Sequence, residues 1–261
     1  MSKLIEKLER ISAGGGQPLG FGAAVNRAKI LQMVVIAGIP EGNTKQVSLA
    51  AEAGADAVLL AIEQPKNKDE VLAQLSGMKI DIPWGVAVDT VTREEMQQLA
   101  EAGCDYVIFS PTKSPAAVLG VEKIGKVLRI DASLSDNMAR AINRLDVDAV
   151  LLSPVGEDEP HLTVQQLMVY EYLAGYAGKY LVAAVPPGFA VDDIESLWGL
   201  GVRGVIVDLA VKEPEQRLSQ VMEAIQKLPT TKKRPKERIS ATLPFTREPS
   251  GQPIPDEDNE E

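Results

Sequence analysis

Four segments of the chain repeat one lead-in. AGADAVLL from Ala53, AGCDYVIF from Ala102, LDVDAVLL from Leu145 and LGVRGVIV from Leu200 each close an amphipathic stretch, turn, and enter an apolar run. Their second residue is Gly54, Gly103, Asp146 or Gly201, types that tolerate the left-handed backbone with which helices close. Each copy is separated from the next by two strand–helix units, so the four mark strands two, four, six and eight of a repeating fold. Around them, β-branched runs alternate with amphipathic stretches about a dozen residues long, the pattern of a parallel sheet. Strands are predicted at Met33–Ile39, Ala57–Ile62, Trp84–Asp89, Tyr106–Ser110, Val127–Asp131, Ala149–Ser153, Leu181–Val185 and Val205–Asp208. Helices are predicted to begin near Asn43, Lys68, Thr92, Pro115, Ser135, Thr163, Val191 and Glu213. TREE after Thr92 has the spacing of a capping box, and Ser135 precedes a helical run. Strict alternation of eight units predicts an α/β fold, a parallel eight-stranded (β/α)8 TIM barrel. A doubly wound open sheet would be unusually regular at this number of units.

The barrel is predicted over residues 33–228. Residues 1–32 form an N-terminal extension, a short helix followed by AGGGQPLGFGAA, expected to cross the barrel bottom or one edge. GGGQPLGFG lacks the Lys-Ser/Thr of a phosphate loop and GFGAAV departs from GxGxxG, so the run reads as a plain loop. Residues 229–261 are polar and proline-rich, basic at KKRPKER and acidic at DEDNEE, which predicts a flexible, disordered tail.

A chain of 261 residues with 45% hydrophobic content can bury a full core. No apolar run reaches the roughly 18 residues of a membrane span, and MSKLIEKLER has no signal-peptide core. No membrane association and a cytoplasmic location are expected. A single cysteine, Cys104, excludes internal disulfides and cysteine-rich metal sites; before strand four it reads as a buried, inert thiol. The net charge of −10 argues against nucleic-acid binding.

Strand alternation sorts the side chains. Residues facing an outer layer of helices must be apolar. Val58, Leu60, Ile62, Val107, Phe109, Val150, Leu152, Val205 and Val207 satisfy this, so the opposite parity faces inward and ends in Ala61, Ser110, Ser153 and Asp208. On the odd strands the inward set is Gly85, Ala87 and Asp89, then Val127, Arg129 and Asp131. Loops beyond the mouth add Glu63, Lys113 and His161, the last being the single histidine. Active sites of this fold lie at the C-terminal face. The expected site is therefore a small-ligand pocket in which Arg129 binds an anion. Ser110, Ser153, Lys113, His161 and Gly188 help bind it. Asp89, Asp131 and Asp208 do acid–base work, or Glu63, Asp89 and Asp131 hold Mg²⁺. The competing interpretation is a structural Arg–Asp network plugging the barrel, since an unpaired buried charge costs several kcal/mol.

AGADAVLL and PPGFAVDDIESLWGLGVRGVIVDLA over residues 186–210 resemble the aldolase-type, phosphate-binding barrel superfamily, across most of residues 33–228. That resemblance implies a glycine after strand seven, and a glycine with a small residue after strand eight, that bind phosphate. Gly188 matches the first loosely; Asp208 and Leu209 break the second, and a carboxylate there repels phosphate. Phosphate-anchored FMN is therefore disfavoured, although PLGFGAA is similar to a flavin-side loop. The expected function is a lyase or isomerase acting on a small anionic metabolite. An FMN-linked oxidoreductase, or a non-catalytic scaffold acting through its tail, is the alternative, and a homo-oligomer is compatible with any of these.

Overall fold

A computed structural model of the chain describes residues 1–13, 31–40, 44–62, 81–130, 135–153 and 161–229. Eight parallel strands close into a ring: β1 (Val34–Ile39), β2 (Ala57–Ala61), β3 (Trp84–Ala87), β4 (Tyr106–Phe109), β5 (Gly125–Ile130), β6 (Ala149–Leu152), β7 (Tyr180–Val185) and β8 (Val202–Asp208). Closure comes from β8 pairing with β1, Gly38 opposite Asp208. This is the predicted (β/α)8 barrel. The helices are α1 (Lys3–Ser12), α2 (Thr44–Glu52), α3 (Arg93–Glu101), α4 (Asp136–Ile142), α5 (Val164–Ala177), α6 (Ile194–Gly199) and α7 (Pro214–Lys227). The helix expected near Lys68 falls outside the described residues, as do the glycine-rich run and the tail. The chain divides after Thr230, and the barrel occupies the first unit. No described helix is long and apolar enough to cross a membrane.

Strand parity divides the side chains of the ring into two layers. Val58, Leu60, Val107, Phe109, Val150, Leu152, Val205 and Val207 belong to the apolar layer shared with the helices. Ala57, Leu59, Tyr106, Ile108, Val127, Ala149, Leu151 and Ile206 form a separate interior cluster. Tyr106 dominates that interior, its hydroxyl donating to the Val58 carbonyl at 2.7 Å. Gly85 makes room for it: a Cβ there would lie 2.5 Å from the Tyr106 ring. The small residues of β3 therefore accommodate a tyrosine.

α1 closes the N-terminal end of the barrel. Leu4, Ile5 and Leu8 are buried in the interior cluster, each removal from water stabilising by roughly 1.5–3 kcal/mol. The carboxylate of Asp105 receives the backbone N–H of Lys3 (2.7 Å) and Leu4 (2.9 Å) and the Ser2 hydroxyl (2.8 Å). A negative charge at that helix end also complements the dipole. Lys7 pairs with Asp56 at 3.0 Å. Asp56, Asp105 and Asp148 are the same position of the repeat, and the first and last accept the N–H of Val35 and Lys126. The fourth copy has Arg203, which donates to the Trp198 and Val202 carbonyls.

Two expectations need correction. Gly54, Gly103 and Gly201 are left-handed at φ 88°, 89° and 97°, but Asp146 is not; its carboxylate pairs with Lys126 instead. After β4 there is no full helix, only a 3₁₀ turn at Ala116–Gly120 behind Pro115. The nearly buried Lys126 fills the gap, its ammonium donating to the Leu119 carbonyl at 2.7 Å. The Thr92 capping box forms as read, whereas the Ser135 side chain makes no capping bond.

Candidate functional site

At the C-terminal end the interior residues become small: Gly38, Ala61, Ala87 and Ala184 are all half-buried. Beyond three successive strands, β3 to β5, runs one charged chain. Arg129, from β5, donates from Nη1 to Asp89 Oδ1 at 3.2 Å, and Lys113, beyond β4, places Nζ 2.7 Å from Asp89 Oδ2. Asp89 follows β3, so parity brings it and Arg129 to the same end as expected. Lys113 beside it, and then Arg129, hold the Asp89 carboxyl below the ordinary carboxylate range. The Arg129 side chain is 33% exposed, Lys113 56% and Asp89 59%. At such exposure an ion pair adds little stability. Two cations around one carboxylate leave the chain one positive charge in excess, open to solvent.

The lysine is braced by neighbours that residue-type reasoning passed over. The Thr112 and Ser110 hydroxyls lie 3.0 Å apart, the Ser114 N–H donates to the Ser110 carbonyl, and Val91 N–H donates to Ser114 Oγ at 3.4 Å. These bonds tie the loop after β4 to the loop after β3. SPTKSP carried the signal, since serine and threonine beside proline favour such local bonds.

The other predicted residues separate from this chain. Asp208 lies across the ring on β8, where Oδ1 accepts the N–H of Ala210 at 2.8 Å. The Leu209 N–H donates to the Gly38 carbonyl at 2.8 Å. The Leu209 and Ala210 amides, which follow β8 directly, are thus engaged by the protein itself. Gly188 is exposed in the turn after β7, outside the left-handed region. His161 is exposed and faces Asp193 at 3.4 Å, a carboxylate that also accepts the Leu162 N–H. Ser153 is half-buried at the end of β6, its carbonyl 3.5 Å from the Tyr170 hydroxyl. Glu63 and Asp131 lie outside the described residues. Among the described residues no three His, Cys, Asp or Glu side chains gather as a metal would need. Asp89, flanked by two cations, also suits Mg²⁺ poorly, because the metal would meet their repulsion. Cys104 is buried at the opposite end, donating to the Tyr106 carbonyl at 3.2 Å; burial pushes its thiol far up, away from reactivity.

No protein-family model matches the chain, and no curated protein matches it in sequence. Solved structures do match in shape. The open form of tryptophan synthase from M. tuberculosis superposes with a TM-score of 0.61 at 12% identity, over 88% of this chain and 100% of that one. A mutant tryptophan synthase alpha-subunit from the hyperthermophile Pyrococcus furiosus gives 0.52 at 14% identity, over 75% and 97%. The shared fold is a (β/α)8 barrel. A cube-shaped cage designed by fusing symmetric oligomeric domains is also similar, with a TM-score of 0.55 at 15% identity over 74% of this chain and 72% of that one. At these identities the likeness is one of fold.

Proposed function

We propose that this barrel is a lyase- or isomerase-type enzyme that binds a small anionic metabolite at its C-terminal mouth, in the cytoplasm and without nucleic acid. The observation behind this reading is the Lys113–Asp89–Arg129 chain at the C-terminal end of the strands, beside small interior residues. A substrate carboxylate or phosphate would take up Arg129 and Lys113, the guanidinium offering a paired donor fork. Asp89 would then lose the two cations that hold its proton affinity down, and become a better base when substrate arrives. In that state it can remove a proton from a carbon beside the bound anionic group. It returns the proton to a neighbouring atom in an isomerisation, or to the departing group in a cleavage. Asp208, across the mouth, is the second carboxylate of the scheme. Ser110, Ser153, His161 and Gly188 belong to the rim around it, and Asp131 and Glu63 to the same end by sequence. Neither a flavin-linked nor a tail-borne scaffold role has a comparable observation behind it.

The test is calorimetric titration of the protein with inorganic phosphate and with succinate. Arg129→Gln and Lys113→Gln are expected to weaken binding of at least one of them about tenfold or more, the loss of a charged hydrogen bond. Unchanged binding in both variants, or no binding by the unaltered protein, would refute the reading.

A further inference from the structure

Large exposed apolar side chains are concentrated on one side of the barrel. Of the five among the described residues, Met138, Leu145, Val164 and Met168 lie on α4, the turn after it and α5. Val164 is 73% exposed, Met168 68% and Met138 58%. α5 buries Tyr170 and Leu173 against the barrel yet also carries apolar residues on its solvent side. A surface helix needs one apolar face, and apolar residues all round signal burial on both. α4 and α5 pack side by side, so the two methionines and Val164 share one outer face. The layer is thin here, because only the 3₁₀ turn stands on the far side of α4.

Charge indicates what covers this face. Exposed Arg140 and Arg144 lie on α4 and the turn after it, and exposed Glu171 on α5, on a chain whose net charge is −10. Both helices descend from the C-terminal face at about 1.5 Å per residue. Met138 then lies about 3 Å below the start of α4, and Val164 and Met168 lie 0 to about 6 Å below the start of α5. Arg140 lies roughly 6 Å down α4, with Arg144 in the turn that ends it, and Glu171 lies about 10 Å down α5. A two-fold axis running along the groove between the helices lays α4 of one copy on α5 of the other at equal depth. Such an isologous contact pairs apolar with apolar and arginine with glutamate, twice.

We propose that the α4–α5 face binds a second copy of this chain, with Met138 packing against Val164 and Met168 and the arginines meeting Glu171. Sedimentation velocity over a concentration series tests this on the full chain. The unaltered protein should show twice the 28.0 kDa chain mass. Met168→Lys should sediment as a single copy, with circular dichroism confirming that it is folded. Glu171→Arg alone, and Arg140→Glu with Arg144→Glu, should each weaken association about tenfold or more, roughly 1.4 kcal/mol. Mixing these two variants should restore a dimer. A single-copy mass up to the solubility limit would overturn the proposal. So would an assembly that Met168→Lys leaves intact, or one that the mixture fails to restore.

Discussion

Asp105 and Asp148 at one end of the barrel and Asp89 at the other are held in opposite ways. At the N-terminal end Asp56, Asp105 and Asp148 accept backbone N–H groups, and α1 seals the interior behind them. At the C-terminal end Asp89 is held by two solvent-accessible cationic side chains. Backbone donors cannot move away, so the first set is structural. Lysine and arginine side chains can turn to another anion, so the second is suited to exchange partners with a ligand. An aspartate is therefore read by what donates to it, as well as by its burial.

The sharpest way to break this contrast lies at the sealed end. Leu8→Ala should cost about 2–5 kcal/mol, since Leu8 is wholly buried among the interior strands; urea denaturation measures it. A loss below 1 kcal/mol, on the order of a surface change, would mean that α1 is no plug. Asp105→Ala should cost about 1–3 kcal/mol in the same assay, because two amides and a hydroxyl of the α1 start lose their acceptor. Gly85→Ala should cost about 1–3 kcal/mol through overpacking against Tyr106. At the open end Asp89→Asn should leave stability within about 0.5 kcal/mol while tightening phosphate binding and removing turnover. Stability loss like that of Asp105 would make the mouth chain a structural plug. The pH response is the smallest effect. The Asp89 carboxyl is depressed in the folded state, so its contribution is present above the ordinary carboxylate range and disappears as pH falls through the lowered value. With Asp89 so exposed, Asp89→Asn should flatten the acid limb of a melting-temperature profile only slightly.

The ring was readable because burial on both faces of a parallel strand leaves parity as the one free variable. Val58 and Leu60 could face only helices, which put Arg129 and Asp89 at one end before any contact was known. What parity could not say is which neighbour a side chain chooses. Asp208 has the inward register, yet its nearest donor is the Ala210 amide of its own turn. His161 meets Asp193, more than thirty residues away, through the adjacency of the loops after β6 and β7. The turn at Asp146 failed for a similar reason: residue type permitted a left-handed conformation, and a nearby lysine gave the carboxylate another use. The apolar pattern behind Pro115 did not distinguish the 3₁₀ turn at Ala116–Gly120 from a full helix.

The most direct measurement is mass spectrometry, under native and then denaturing conditions, of what the freshly purified protein carries. The unaltered chain should release a small acidic molecule that Arg129→Gln, folded to the same melting temperature, retains far less. An acidic molecule held equally by both proteins, or none held by either, would contradict a ligand site at the mouth.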